Sequence, residues 1–381
     1  MRWAEHLSGR NLVELYLSGR APLSATARNA LWDKAYQEEQ RRLALLQESF
    51  RHEVARCSLR LDKVPHETRR WLKSVDPAKP HGRPFALEQT EATLRRYQAV
   101  WEKYLCYCVR VYRLGRTEAS EKHGVRFTDE QWTALDAMAE ALTISGDATE
   151  SGQRRGGRQA WQGGPPAAES DDDEDDYHDD DDDSDSDDDR NHNDHHGAGE
   201  PTGLGSLRIG SPTGDDGSRP EHSKALDRRV YRFCILSLKQ KVPVEPFANP
   251  LIHFTAILGI LDPAKSSGGP AGRTTHGRLG WSSAAQFTQQ LAGLMWCGRI
   301  LLLEHFFELE PIDGDPNEID AAVVEDFPER YRCWLADGSG TPFSAIIRMM
   351  AYGKGHRSKE GGTPRLMWES GGQALRYLGQ R

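Results

Sequence analysis

The sequence is poor in cysteine, in hydrophobic residues and in long uncharged apolar stretches. Six cysteines in 381 residues are too few for the disulfide framework of a small secreted domain. The most apolar segment, 291–307, contains Arg299, Glu304 and His305, so no stretch reaches the roughly 18 apolar residues of a membrane helix. Residues 1–17 mix Glu and Arg with apolar residues, unlike a secretory signal. We therefore expect a nuclear or otherwise intracellular protein that is neither secreted nor bound to a membrane.

Recognisable catalytic motifs are also missing. The sequence contains no phosphate-binding loop of the form GxxxxGK[ST], no HExxH, no GxSxG and no pair of CxxC motifs. Cys106 and Cys108 would project about 200° apart on a helix, so they cannot share a metal ion. We expect no enzymatic activity, no cofactor and no metal site.

Charge is distributed very unevenly. The formal net charge is −9, from 49 Lys+Arg and 58 Asp+Glu. The acidic tract, from Glu169 to Asp189, holds 16 acids and no Lys or Arg. Without those 16 acids, 42 acids stand against 49 bases, a net charge of +7. A basic scaffold favours nucleic acid as the partner of the folded part, while the tract favours basic partners of its own.

The acidic tract belongs to a longer segment without hydrophobic periodicity. Gly, Pro, Ser and Asp dominate residues 146–222, and such a composition buries too little apolar surface to offset the entropy of ordering. We therefore predict a disordered acidic linker between two mildly basic blocks, 1–145 and 223–381. Each block has the size of one ordinary domain, and the two either fold separately or pack on each other as one domain.

The first block is predicted to be helical. Over 92–114, apolar and aromatic residues recur every three or four positions, which indicates an amphipathic helix with an aromatic-rich face. Residues 25–56 contain no Gly or Pro and favour one long charged helix with Tyr36 on its apolar side. Thr128 and Gln131 form a T-x-x-Q capping box, which predicts the start of another helix.

The second block is more apolar. Hydrophobic patterns predict helices over 224–241 and 250–261, and a central buried helix over 283–309 that is apolar nearly all round. Pro342 is a favourable first helical residue, and residues 365–378 read as a β-hairpin. The predicted fold is therefore mainly α, with a small C-terminal β-hairpin and a long disordered acidic insert.

Basic residues on the 92–114 helix and at its exit are candidates for contacts with DNA phosphates, with Tyr97, Trp101 and Tyr107 nearby. The alternative is that they form the solvated outer face of a core helix. Arg299 must be paired or reach solvent, and we expect either an ion pair with an acid of 313–329 or a phosphate contact. The DNA-binding candidates are Arg95, Arg96, Lys103, Arg110, Arg113, Arg116 and Arg299.

The acidic tract has several candidate roles. It can bind basic nuclear proteins such as histones, fold back on a basic surface of the same chain, or serve as a solvating linker. Ser170, Ser184 and Ser186 are each followed by an Asp three residues later. This spacing suits acidophilic kinases, and phosphorylation would add negative charge.

Several phrases of the sequence resemble a known group of proteins. They include RYQAVWEKYLCYCVRVYRL (96–114), NPLIHFTAILGIL (249–261) and AGLMWCGRILLLEH (292–305). In order and character they resemble the region upstream of the helicase core in fungal telomere-linked RecQ-like helicase proteins, which are associated with mobile DNA. This resemblance implies a DNA-associated accessory region. Because the ATPase motifs are missing, we expect a truncated or split member without the motor.

A weaker resemblance concerns the helix RRYQAVWEKYLCYC, which is similar to the DNA-clamping domain of tyrosine recombinases. That resemblance would make Arg299 the counterpart of a catalytic arginine, but Glu304 lies five residues on and no H-x-x-R box follows. Three functions therefore stay open: a DNA-associated accessory region, an acidic-tract interaction protein, and a degenerate recombinase-like DNA-binding domain.

Overall fold

The computed structural model describes residues 6–61, 64–156, 221–260, 282, 284–307, 321–357, 366–368 and 375–377. The described part is mainly helical, which confirms the predicted fold class in its coarse form. The chain divides into two compact units, one formed by Met1–Glu150 with Ser206–Arg381 and the other by Ser151–Gly205. Residues from both predicted blocks therefore belong to the same unit.

Within the described ranges, the helices are joined by short connections and by a longer connector over 74–90. A helical turn at Arg116–Glu118, a π-turn at Ala119–His123 and a 3₁₀ turn at Pro246–Ala248 lie between the longer helices. The longer helices are α1 (Leu12–Ser18), α2 (Ala25–Asn29), α3 (Lys34–Leu61), α4 (His66–Lys73), α5 (Glu91–Leu114), α6 (Asp129–Gly156), α7 (Glu221–Lys239), α8 (Pro250–Leu258), α9 (Ala284–Phe306), α10 (Ala321–Trp334) and α11 (Pro342–Arg357).

Local signals in the sequence set several helix starts as predicted. The amide of Thr128 donates to Oε1 of Gln131 over 2.9 Å, and the amide of Gln131 donates to Oγ1 of Thr128 over 3.2 Å. This reciprocal capping box opens α6. At α8 the Asn249 side chain accepts from the amides of Leu251 and Ile252, so two otherwise unsatisfied donors are paired.

One predicted helix is broken. The expected continuous helix over 25–56 is wrong, because α2 ends at Asn29 and α3 begins at Lys34. The carboxylate of Asp33 accepts from the amides of Ala35 and Tyr36 at 2.9 and 3.2 Å, which favours a new helix start at this point. Tyr36 is 43% exposed, so the prediction that it lines the apolar face is also wrong.

Two short strands are described near the C-terminus. Leu366–Trp368 and Leu375–Tyr377 pair antiparallel, with Leu366 opposite Tyr377. The turn expected between them lies outside the described residues, so the hairpin over 365–378 as a whole stays a prediction. The acidic tract and the rest of 157–220 also lie outside the described residues.

The core is centred on the crossing of α5 and α9, which come from the two predicted blocks. The indole Nε1 of Trp101 donates to the carbonyl of Leu294 over 3.1 Å, and Trp101 is fully buried. A Cβ added at Gly293 would lie 2.9 Å from the Cα of Tyr97. Glycine is therefore needed for this close approach of the two backbones.

Ion pairs fasten α3 to this crossing. Arg51 makes a bidentate contact with the carboxylate of Glu102, at 2.6 and 3.0 Å. Arg56 bridges Glu53 at 2.8 Å and Glu304 at 2.6 Å. The carboxylates of Glu102 and Glu304 are only 3% and 5% exposed, so each buried acid receives a guanidinium partner.

Within the described ranges, every helix falls short of the length and apolar character that crossing a membrane requires. The apolar character of the central helix α9 is interrupted by two charged residues, Arg299 and Glu304.

Replacing Gly293 by alanine should destabilise the fold. The added methyl group meets backbone atoms of Tyr97, and such overpacking costs about 1–3 kcal/mol, more than the roughly 1 kcal/mol that Gly→Ala gains within a helix. Urea unfolding followed by circular dichroism should show a lower midpoint for Gly293→Ala.

The control is Gly82, which is exposed and where an added Cβ meets nothing within 4 Å. The same substitution at this position should change stability by less than about 0.5 kcal/mol. Equal midpoints for the two variants would contradict the tight crossing.

Candidate functional site

The predicted DNA-binding arginines at the C-terminal end of α5 are engaged within the protein. Arg110 donates to the carbonyl of Ser18 over 2.9 Å and also to that of Arg20, so it holds the end of α1. Arg113 pairs with Glu39 at 2.8 Å. These contacts give both side chains structural roles. Arg116 similarly pairs with Asp129 and lies 5.2 Å from the ring centre of Trp132.

Two aromatic residues of the expected nucleic-acid footprint are not on the surface. Trp101 and Tyr107 are both fully buried. Neighbouring helices pack against more than one face of α5, so these two rings lie in the core. The prediction that these two rings accompany a DNA-binding face is therefore wrong. Tyr97 and Lys103, also on α5, are partly buried.

The structure brings two of the predicted arginines, Arg96 and Arg299, to the ends of one row of aromatic rings. The guanidinium of Arg96 lies 5.9 Å from the ring of Tyr97, which lies 5.8 Å from the ring of Trp296. Trp296 in turn lies 6.2 Å from the ring of Phe85, and the guanidinium of Arg299 lies 5.9 Å from that same ring. We call these five residues the arginine–aromatic ladder.

The connector over 74–90 positions the middle of the ladder. The amide of Phe85 donates to the carbonyl of Arg69 over 2.9 Å, and Nε1 of Trp296 donates to the carbonyl of Ala86 over 3.1 Å. Trp296 and Arg299 are three residues apart on α9, so they share one helix face. Two regions of the sequence, 210 residues apart at the contact between Trp296 and Ala86, are thus required to assemble the ladder.

Further cations surround the connector. Residues 66–99 contain seven Lys or Arg and four Asp or Glu. Arg70 pairs with Glu67, and Arg95, which is exposed, pairs with Glu91. Exposed pairs of this kind are weak and exchange readily with other ions. The ladder and its surroundings, α4 and the connector, therefore form a basic face that we call the ladder face.

Arg299 differs from the other cations of the ladder face. It is partly accessible, but its Nε is buried without a hydrogen-bond partner. Burial lowers its pKa to about 10, so it remains charged at neutral pH. The expected ion pair with an acid of 313–329 is absent for the described acids of that stretch, and Glu329 pairs instead with Arg332. Residues 313–320 lie outside the described residues.

A second group of polar side chains is buried where α5, α8 and the π-turn meet. His6 Nε2 lies 2.6 Å from His253 Nδ1, and the rings of His123 and Tyr107 lie 6.1 and 5.7 Å from that of His253. Nε2 of His253, Nδ1 of His123 and the hydroxyl of Tyr107 are buried without a hydrogen-bond partner. His253 is thus hydrogen-bonded at one ring nitrogen and not at the other.

Protonation of this histidine cluster is disfavoured. Burial, reinforced by the charge of Arg10, lowers the pKa of His6 from 6.5 to about 4. Burial also lowers the pKa of His123 to about 4 and that of His253 well below 6.5. Arg10 is held nearby, because its Nε donates to the carbonyl of His6 over 2.8 Å. All three histidines are therefore neutral at pH 7.

Metal and thiol chemistry have little support within the described residues. No three or more His, Cys, Asp or Glu side chains of that part of the chain are arranged to hold a metal ion. Cys106 and Cys108 are both buried, and burial raises the pKa of Cys106 to about 12. A thiol in such surroundings is a poor nucleophile. The ladder face is the arrangement best suited to bind a ligand.

Comparison with known proteins gives no assignment. No family model, no curated protein and no solved structure matches the chain. A function for this protein must therefore be inferred from its own residues and their geometry.

The buried histidines should make stability fall in mild acid. Unfolded histidine binds a proton near pH 6.5, whereas in the folded protein the pKa of His6 and of His123 is about 4 and that of His253 is well below 6.5. The unfolded state therefore binds more protons in this window, and stability is complete above pH 6.5 and lost as the pH falls toward 4. Each histidine adds a slope of about 1.4 kcal/mol per pH unit.

This slope can be measured by urea unfolding at several pH values between about 7 and 5. His253→Phe removes one titrating group and should lower the slope by about one third, while His66→Gln, at an exposed position, should leave it unchanged. A wild-type slope near zero, or equal slopes for His253→Phe and wild type, would contradict the protonation cost of the cluster.

Proposed function

We propose that this chain is a non-enzymatic, DNA-associated accessory region that binds DNA through the ladder face. The observation that carries the proposal is the ladder itself, which joins Arg96 and Arg299 beside a segment, 66–99, that contains seven Lys or Arg and four Asp or Glu. The resemblance to regions upstream of a mobile-element helicase core supports the same role. In that setting the protein acts in the nucleus beside a motor that it does not itself contain.

The exposure of the ladder residues favours contacts with the DNA backbone over reading of bases. Phe85 and Trp296 are only 5% and 6% exposed, so their faces are not available for base stacking. The accessible groups are cations, among them Arg95 and Arg96. Contacts between cations and phosphates release counterions and carry little sequence information. Binding should therefore be salt-sensitive and largely independent of sequence.

The acidic tract favours a second function. Its 16 acids mimic the charge of a nucleic acid and suit basic nuclear partners such as histones. Phosphorylation at Ser170, Ser184 or Ser186 would strengthen that attraction. This role is compatible with the first, because the tract and the ladder face carry opposite charge.

The recombinase-like reading lacks support. It requires Arg299, a histidine and a tyrosine in one pocket. Among the described residues Arg299 lies near Phe85 and Tyr331, and the Tyr331 hydroxyl donates to the carbonyl of Ser74. We do not propose strand-transfer chemistry.

Neutralising the exposed end of the ladder face should weaken DNA binding. The double variant Arg95→Gln with Arg96→Gln should lose about ten-fold in affinity for a mixed-sequence duplex at low salt, and its salt slope should fall by up to about 2. Fluorescence anisotropy across a salt series measures both quantities with the full chain.

A matched control tests whether DNA binding depends on the ladder face or only on the net charge of the protein. Arg126→Gln with Arg232→Gln removes the same charge at two exposed positions outside the ladder face and should cost less than about two-fold. Equal losses for the two double variants would show that net charge alone drives binding. No binding by the wild-type chain at low salt would refute the proposed function.

Removing the acidic tract should strengthen DNA binding. A chain that lacks residues 169–189 should bind the same duplex more tightly at low salt, because a tethered polyanion no longer competes for the cations. A chain in which the order of residues 169–189 is scrambled keeps the charge and should behave like wild type. Unchanged affinity after the deletion would show that the tract does not compete with DNA.

A further inference from the structure

The segment 6–20, which includes α1, lies against α5, α8 and the π-turn. It packs closely on α8, because a Cβ added at Gly19 would lie 2.8 Å from Cγ2 of Ile257. Immediately after this segment the chain is fixed to α3, where the amide of Leu23 donates to Oε1 of Gln40 over 2.9 Å. We call residues 6–20 the strap. Only two residues separate the strap from the anchored chain at Leu23.

Polar contacts fasten the strap near both of its ends. At the end that leads to α2, the guanidinium of Arg110 on α5 donates to the carbonyl of Ser18 over 2.9 Å. At the other end, Nε2 of His6 lies 2.6 Å from Nδ1 of His253, and the His6 ring stacks on Phe247 with 4.3 Å between ring centres. We call His6 and His253 the histidine pair. A guanidinium keeps its charge at all ordinary pH values, whereas an imidazole does not, so only the second contact responds to acid.

The contact within the histidine pair requires a neutral ring. Two ring nitrogens form a hydrogen bond only if one carries a hydrogen and the other offers a free electron pair. When both rings are protonated, both nitrogens are donors and the contact becomes repulsive. The other ring nitrogen of His253, Nε2, is buried without a hydrogen-bond partner among the described residues. Protonation there places a second buried donor where no acceptor is described, which is unfavourable.

A cation is held beside the histidine pair. Nε of Arg10 donates to the carbonyl of His6 over 2.8 Å, and Nη1 of Arg10 donates to the carbonyl of Lys122 over 3.0 Å. The rings of His123 and Tyr107, both uncharged at pH 7, also face the pair. A proton taken up by the pair therefore adds positive charge next to an existing guanidinium, with two uncharged rings on the other side.

The acids that face this group are exposed and engaged elsewhere. They are Glu14 on the strap and Glu245 before α8. Glu14 lies 3.7 Å from Nζ of Lys122, and Glu245 lies 4.0 Å from the guanidinium of Arg126. Exposed carboxylates are screened by water and give little support to a buried charge. Protonation of the histidine pair is therefore unfavourable while the strap is closed.

We propose that the strap is an acid-sensitive latch, which is closed while the histidine pair is neutral and opens when the pair takes up protons. Opening gives up the burial of Leu7 and Leu15, which are 6% and 2% exposed, and it admits water next to the histidines. It leaves the crossing of α5 and α9 in place, because the contact between Trp101 and Leu294 lies outside the strap. The latch works whether or not the chain binds DNA, since no residue of the ladder belongs to the strap.

The test is hydrogen–deuterium exchange of the full chain at pH 7.5 and pH 5.0, read by mass spectrometry and corrected for the intrinsic exchange rate. Burial lowers the pKa of His6 to about 4 in the closed strap, against 6.5 in water. His6 alone should therefore raise the opening constant of the strap by about thirty-fold between these two pH values. At both pH values the amides of α1 should exchange ahead of those of α9, because the strap opens without global unfolding.

Variants separate the switching contact from the permanent anchor. His6→Phe keeps a ring to stack on Phe247 but cannot titrate, so the acceleration of strap exchange by acid should be about thirty-fold smaller than in wild type. His6→Gln, which can still hydrogen-bond to His253, should behave in the same way. Arg110→Met removes the anchor that does not titrate, so it should speed strap exchange by a similar factor at both pH values and leave the acceleration unchanged.

Two results would overturn the latch. The first is strap exchange that keeps pace with α9 at both pH values, since the strap would then open only when the whole unit unfolds. The second is an equal acceleration by acid in wild type, His6→Phe and His6→Gln, which would show that the histidine pair does not control opening. Neither result depends on DNA, so the proposed function is tested separately by the binding measurements.

Discussion

The crossing of α5 and α9 at Gly293 is the constraint on which the rest of the described structure depends. A side chain at this glycine would collide with the backbone of Tyr97, and Trp101 closes the crossing by donating to the carbonyl of Leu294. The same approach places the ring of Tyr97 beside that of Trp296. The packing that joins the two halves of the sequence is therefore also the packing that begins the ladder.

The distribution of ionic contacts follows from the cost of burying charge. Arg51 and Arg56 reach from α3 to acids that are almost fully buried, so each carboxylate that leaves water gains a strong partner. These contacts tie α3 to α5 and α9 and make the crossing more rigid. Arg299 differs, because its Nε is buried without a hydrogen-bond partner among the described residues and its guanidinium lies 5.9 Å from the ring of Phe85.

Much of the fold could be predicted because its signals are local. The capping box at Thr128 and the aromatic periodicity of 92–114 each lie within a few turns of one helix, and the structure contains both. The break between α2 and α3 was missed because two local hydrogen bonds to the Asp33 carboxylate outweigh a composition that favours a continuous helix. Helix α10 was not predicted, because the acidic residues of 313–329 obscure its apolar periodicity in the sequence. Phe327 and Tyr331 of this helix are nevertheless fully buried.

The candidate site was beyond prediction because its contacts join residues far apart in the sequence. Trp296 reaches Ala86 across 210 positions, and His6 reaches His253 across 247. Periodicity assigns a residue to the inner or outer face of its own helix but does not reveal which distant segment it meets. Arg95 and Arg96 were identified correctly as exposed cations, whereas the partners of Arg110 could not be known without the position of α1.

The two kinds of cation on the ladder face respond differently to a tethered polyanion. Exposed guanidiniums such as Arg96 are open to any flexible chain of carboxylates, and a tether raises the local concentration of such a competitor to about the millimolar range. A recessed guanidinium such as Arg299 is reached less easily, because an aspartate carries one charge on a short side chain next to its own backbone. Competition by the acidic tract would therefore act mainly on contacts made by exposed cations such as Arg96 and less on contacts made by Arg299.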